Sequence, residues 1–166
     1  DADLDRVVPI LENMGRVIRC GGLGTGNVVK LVTNQLWFIH AASIGEGFAL
    51  GMANGVALPV LYDAICDSVG DSFVARHDGP SIFAGHYDPS FTIDLCLKDL
   101  GLLRELGDNV SADLIMTDAA HGVFENAAER YGRNVGELHV AKRLEDDAQL
   151  SFRMKGDWTA PWEVAN

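Results

Sequence analysis

Residues 24–53 read GTGNVVKLVTNQLWFIHAASIGEGFALGMA, and this stretch decides the fold. Gly21 to Gly26 form a flexible turn, and a long helix is expected from Asn27 to Ala53, where Asn54-Gly55 ends it. Val28, Val29, Leu31, Val32, Leu36, Trp37, Phe38, Ile39, Ile44, Phe48, Leu50 and Met52 leave it apolar nearly all round. A helix apolar on every face belongs at the centre of a domain. At about 1.5 Å per residue it spans about 40 Å. Gly45, Gly47 and Gly51 are poor helix formers, which points to close packing of a neighbouring helix at those positions.

Working outward, the downstream sequence reads helical throughout. Segments are expected over Leu58–Ser68, with Pro59 in the first turn, and over a short piece near Ser72–Arg76 within the looser Gly70–Pro89. Further helices are expected from Thr92 or Asp94 to Leu106, from Ala112 to Tyr131 with Ser111 as cap, and from Gly136 to Glu145. Upstream, Asp3–Met14 has the spacing of an amphipathic helix with Gly15 as C-cap, and Arg16–Cys20 reads as one short strand. A lone strand needs a sheet to join, so its partner strands are expected outside these 166 residues. The fold class is therefore all-α: a helical domain around one long central helix, preceded by a leftover helix and strand. The start at Asp1, without Met, fits the same expectation of a fragment.

Composition narrows the function. The chain holds 13 Lys and Arg against 24 Asp and Glu, a formal net charge of −11. No basic cluster offsets that charge, which excludes phosphate-backbone binding and leaves neither nucleic acid nor an anionic membrane surface as a partner. The charge-free run Leu31–Gly45 contains Asn34, Gln35 and His40 and is too short and polar for a membrane span. Cys20, Cys66 and Cys96 are odd in number and widely spaced, and the five histidines share no ligand spacing, so no metal site is expected. The cysteines read as small core residues of a cytoplasmic protein.

Lys30 is the only charged residue between Arg19 and Glu46. Burying an ammonium is costly and usually depresses its pKa, which is how a lysine becomes a general acid/base. The competing reading is a stem that snorkels to solvent near the helix start. Asn27, Lys30 and Asn34 fall at i, i+3 and i+7 and share one face, a binding surface for an oxygen-rich small molecule. Asp94 and Lys98 are spaced as a solvated i, i+4 ion pair. His40 reads as a satisfied core residue, and Glu145-Asp146-Asp147 as a solvated acidic turn.

Two of these clusters together resemble the signatures of the β-hydroxyacid dehydrogenases, the group of 3-hydroxyisobutyrate dehydrogenase and tartronate semialdehyde reductase. Gly24, Gly26, Lys30 and Asn34 match every fixed position of the pattern GxGxxxKxxxN, and Phe91 followed by Lys98-Asp99-Leu100-Gly101-Leu102 resembles the second signature. The resemblance covers residues 3–145. It implies NAD(P)-dependent, reversible oxidation of a small 3-hydroxy acid, with NAD or NADP bound mainly by an N-terminal Rossmann domain outside this chain. On that basis residues 1–22 are the end of the dinucleotide-binding domain, 23–145 a helical substrate and dimerisation domain, and 146–166 a tail. The resemblance makes Lys30 the general acid/base and Asn34 its catalytic partner. Gly26 and Asn27 join them in substrate binding, and Phe91 and Lys98 lie at the cofactor. Asp99 is assigned to structure. 6-Phosphogluconate dehydrogenases usually have His at the position of Asn27, and imine reductases usually lack the lysine. A homodimer or homotetramer is expected, and this chain alone is expected to be inactive. The alternative is a non-catalytic helical scaffold that keeps the family fold, but a scaffold needs none of Lys30, Asn34 and Lys98.

Overall fold

The computed structural model describes residues 2–156 and 158. In chain order the helices are α1 (Ala2–Leu11), α2 (Thr25–Ala53), α3 (Leu58–Cys66) and α4 (Phe73–His77). They continue with α5 (Gly79–Ala84), α6 (Ile93–Val110), α7 (Ile115–Tyr131) and α8 (His139–Asp147). The domain is all-α, and α2 is its axis: α3, α4, α6, α7 and α8 all pack on it. Length and apolar composition alone would let α2 cross a bilayer. Its inner half instead buries Phe38, Ala41, Ile44 and Phe48 among the other helices, as the core helix of a globular domain does.

The centre is built from aromatic rings. Phe48 is 0% exposed and meets Phe83 at 5.6 Å and Phe152 at 5.8 Å between ring centroids, the latter edge-on. Phe38 meets Phe124 edge-on at 5.6 Å. Such pairs add about 0.5–1.5 kcal/mol each beyond the area they remove from water. Phe152 lies past α8, so the chain after residue 147 still contributes to the core; Pro161 and Trp162 fall outside the described residues.

Gly45 and Gly51 are where helices approach closely. A Cβ at Gly45 would lie 3.0 Å from Ala141 on α8, and one at Gly51 would strike Leu61 on α3. Gly47 does not fit that expectation, since a Cβ there would meet nothing within 4 Å.

Several local expectations are corrected. Arg16–Cys20 forms no strand; among the described residues the only β pairing is the single bridge Thr92–Gly136. A strand gains its hydrogen bonds from a neighbour, and none lies beside this segment. Helix α5 sits inside the stretch expected to be loose. Ser111 does not start α7. Its φ of 56° places it in the left-handed region, where it ends α6 four residues later than expected, at Val110. The acidic run at the end of α8 is not a solvated turn either. Glu145 is buried and accepts hydrogen bonds from the Tyr87 hydroxyl and, at 3.1 Å, the Phe152 N–H. Asp146 accepts from Tyr131 at 2.6 Å, and Asp147 from Arg130 at 2.5 Å.

Candidate active site

The site begins where α2 begins. Gly24 has φ +91°, a left-handed turn that suits glycine, and α2 has no side-chain N-cap. Instead the carbonyls of Gly22 and Gly24 accept from the N–H groups of Thr25 and Asn27 at 3.2 and 3.0 Å. Thr25 Oγ1 donates to the Gly22 carbonyl at 2.7 Å. This fixes the first turn, and Lys30 and Asn34 project from the second and third.

Helix α6 supplies the third member. Its start is pinned on three sides. The Thr92 hydroxyl accepts from the Leu95 N–H, and the N–H groups of Ile93 and Asp94 each donate at 3.0 Å to the carbonyls of Val135 and Arg133. Arg133 also bonds the Asp94 carboxylate at 3.2 Å, which displaces the expected Asp94–Lys98 pair. With α6 so registered, Asp99 shares the buried face of Cys96, Leu100 and Leu103 and points at α2. A buried carboxylate requires donors. Asp99 Oδ2 accepts from Asn34 Nδ2 at 2.7 Å and from Lys30 Nζ.

Lys30, Asn34 and Asp99 thus form one cluster. The Asp99 side chain is 7% exposed and that of Lys30 is 54% exposed, so burial of Lys30 by this chain is not observed. Asp99 holds the ammonium at a fixed point while its remaining N–H groups face outward. That geometry sets an ammonium and an amide side by side at the surface of α2. Gly26 and Asn27 stand exposed one turn above, outside the cluster. Lys98 is exposed on α6, next in sequence to Asp99. Phe91 lies before α6, with its ring 4.9 Å from Trp37 and 6.0 Å from Phe38.

A cavity of about 600 Å³ opens beside Asn34 between α2, α4 and the segment carrying Phe91. Its wall includes Asp78, which accepts from the Trp37 indole N–H at 2.8 Å and pairs with His77 at 2.7 Å. Burial pushes the Asp78 carboxyl up, and those two bonds oppose the shift. His40 lines this cavity from α2 and is only partly buried. Near Asp88 and Asp78 of that wall, Glu137 is 0% exposed and neither carboxylate oxygen has a partner. Burial, with Asp88 and Asp78 nearby, pushes its carboxyl up to about 10. Among the described residues no group of three or more His, Cys, Asp or Glu is placed to hold a metal ion.

Sequence spacing finds Lys30 and Asn34, and the fold brings those two together. Asp99 was given a structural role only, yet it is the residue both of them bond. The available signal was an acid on an otherwise apolar face of α6 between Cys96 and Leu103.

Residues 24–144 match the family described as NAD-binding of NADP-dependent 3-hydroxyisobutyrate dehydrogenase, and the chain belongs to that family of nicotinamide-dependent hydroxyacid dehydrogenases. It is 35% identical over 115 residues to an L-threonate dehydrogenase of Cupriavidus necator, covering 69% of this chain and 39% of the relative. It is 32% identical over 127 residues to 2-(hydroxymethyl)glutarate dehydrogenase of Eubacterium barkeri, covering 75% and 42%. The crystal structure of a 3-hydroxyisobutyrate dehydrogenase from Salmonella typhimurium superposes with a TM-score of 0.79 at 26% identity, over 86% of this chain and 51% of that one. The chain therefore spans about half the length, or less, of the proteins it matches.

Proposed function

We propose that this chain is the substrate-side half of an NAD(P)-dependent 3-hydroxy acid dehydrogenase. The Lys30–Asn34–Asp99 cluster carries the reading, because it sets a proton carrier beside a hydrogen-bonding amide at the mouth of a cavity. Residues 1–22 are assigned to the end of the dinucleotide-binding domain, 23–145 to the substrate and dimerisation domain, and 146–166 to the tail.

The residues present fit the nicotinamide end of the cofactor and not its phosphates. Phe91 offers an aromatic surface beside the cavity and Lys98 an exposed cation. The glycine turn before α2 follows no strand, so it lacks the frame of a dinucleotide phosphate loop. A bound nicotinamide, held beside Phe91 and Lys98, would supply the acceptor or donor for the hydride of the substrate carbinol carbon.

This chain's residues handle the proton and the orientation. In oxidation the neutral Lys30 amine takes the hydroxyl proton as the C–H hydride departs, leaving a carbonyl and an ammonium. In reduction the ammonium returns that proton to the carbonyl oxygen. Asp99 fixes the position of the amine through a hydrogen bond. Asn34, held by the same oxygen, orients the substrate's hydroxyl or carboxylate. Gly26 allows close backbone approach, and Asn27 adds a donor at the helix start.

The exposed apolar residues Val28, Val29, Val32 and Leu36 on α2 support an interface there, in a homodimer or homotetramer. Free Cys20, Cys66 and Cys96 suit a reducing cytoplasm. The test is a nicotinamide absorbance assay on the full-length protein with 3-hydroxyisobutyrate, serine, glycerate, tartronate semialdehyde and L-threonate, using both cofactors. Turnover of any of them is expected. No turnover across the whole set would overturn the dehydrogenase reading in favour of a scaffold.

A further inference from the structure

The segment that leads into α6 contains a strained turn. Tyr87 has φ 54° and Asp88 φ 43°, two consecutive non-glycine residues in the left-handed region. Such a backbone costs free energy at each residue and persists only where its surroundings over-determine it. Phe91 follows three residues after Asp88.

Two clamps hold this turn. The first acts on the backbone. A Cβ at Gly136 would strike the carbonyl oxygens of both Tyr87 and Asp88, so the turn rests directly on the connection between α7 and α8. The Phe91 carbonyl accepts from the Glu137 N–H at 2.9 Å, and Thr92 bridges to Gly136. Within the turn, Asp88 Oδ1 accepts from the Ser90 N–H at 2.9 Å.

The second clamp acts on the Tyr87 side chain and comes from α8 and the chain beyond it. Tyr87 is buried, and its hydroxyl donates to Glu145 and accepts from Arg153. Glu145 also accepts from the Phe152 N–H at 3.1 Å. Arg153 donates to the Ile82 carbonyl at 2.7 Å, with its guanidinium carbon 5.0 Å from the centre of the Tyr87 ring. Tyr87, Glu145 and Arg153 do not line the cavity beside Asn34, whereas Asp88, Ser90 and Phe91 do. Any effect of the clasp on a ligand there passes through the turn.

The geometry points to Tyr87, Glu145 and Arg153 as positioning residues: their clasp sets the strained turn at 87–88, and the turn sets Phe91 against the nicotinamide end of the cofactor. This rests on the reading above that Phe91 lies beside the nicotinamide, and it gives the segment after α8 a part in cofactor binding.

The test compares dissociation constants on the full-length protein for two ligands. One is NADH or NADPH, whichever the parent binds more tightly; the other is the matching ADP-ribose, which lacks the nicotinamide. Tyr87→Phe keeps the ring and removes both hydroxyl bonds. It is expected to weaken the reduced dinucleotide about tenfold and to leave the ADP-ribose within about twofold of the parent. Phe91→Ala is expected to weaken the dinucleotide by a similar factor, and adding Tyr87→Phe to it to change little more, because both act through one ring. Unfolding midpoints are read alongside. If Tyr87→Phe does not fold, Arg153→Gln, which leaves the Tyr87–Glu145 bond in place, carries the same comparison with the same expected contrast. Equal weakening of both ligands, no weakening of either, or a full further loss on top of Phe91→Ala would overturn the inference while the dehydrogenase reading stands. A parent that binds no nicotinamide dinucleotide, or a Phe91→Ala variant that binds it unchanged, would overturn the placement of Phe91 and the inference with it.

Discussion

From Thr25 to Trp37, helix α2 exposes Val28, Val29, Val32 and Leu36; from Phe38 to Ala53 it buries Phe38, Ala41, Ala42, Ile44, Gly45 and Phe48. Both halves are apolar in sequence, so hydropathy does not separate them. The difference lies in what packs alongside. Gly45 lets Ala141 of α8 come within contact of the helix backbone, and Phe48 fits between Phe83 and Phe152. The outer half instead carries Lys30 and Asn34, bound through Asp99. One helix thus does two jobs in series: its inner half organises the core, and its outer half presents the polar cluster.

That division sets the size of mutational effects. Phe48→Ala removes a fully buried ring from the inner half and is expected to cost about 3–5 kcal/mol, read as a lowered urea midpoint. A loss under about 1 kcal/mol would put the core elsewhere. Asp99→Asn keeps the shape but removes the charge that holds Lys30. Hydrogen bonds to charged groups are worth about 1.5–3 kcal/mol, so turnover of the full-length enzyme is expected to fall by about 10- to 100-fold. An unchanged rate would return Asp99 to a purely structural role.

Glu137 gives the buried region a pH dependence of known sign. Its carboxyl is raised to about 10 in the folded chain from an ordinary 4.5. Between those values the folded state holds the proton that the unfolded state has lost, so its contribution to stability is full below pH 4.5 and falls as pH rises toward 10. Glu137→Gln keeps the neutral shape and is expected to gain on the order of 1–3 kcal/mol at pH 8, a gain that shrinks toward pH 4.5. A gain that grows with acidity would contradict a protonated Glu137. Smallest of all, Val32→Ser on the exposed outer half is expected to move the stability of this chain by less than about 0.5 kcal/mol. A loss above about 1 kcal/mol in a denaturation series would show that the outer half is packed after all.

The legible parts of the sequence are those fixed by local spacing. Lys30 and Asn34 lie one turn apart, so helical periodicity alone puts them on one face. The long helices announced themselves by composition and breakers. Asp99 was not legible as a site residue, because its role depends on how α6 registers against α2, 65 residues from Asn34 and 69 from Lys30. The cavity was equally hidden, although a short helix was expected near Ser72–Arg76 where α4 stands: α5, with six residues, is too short for a periodic signal, and Phe73 looks like any apolar residue until it stacks on His77. The strand expected at Arg16–Cys20 failed for the complementary reason, since a β pattern carries structure only when a partner strand is present. Exposure of the outer half of α2 could not be read either, because composition records how apolar a residue is and not whether anything covers it.

The most direct measurement pairs turnover with unfolding for Lys30→Ala in the full-length protein. With Lys30 half-exposed and bonded only at its tip, the expected result is a fall in turnover of about 10²- to 10⁴-fold with an unfolding midpoint close to that of the parent. Turnover that survives the substitution would contradict the assignment of Lys30 as the proton carrier. A lost activity that tracks a collapsed midpoint would contradict the separation of chemistry from stability along α2.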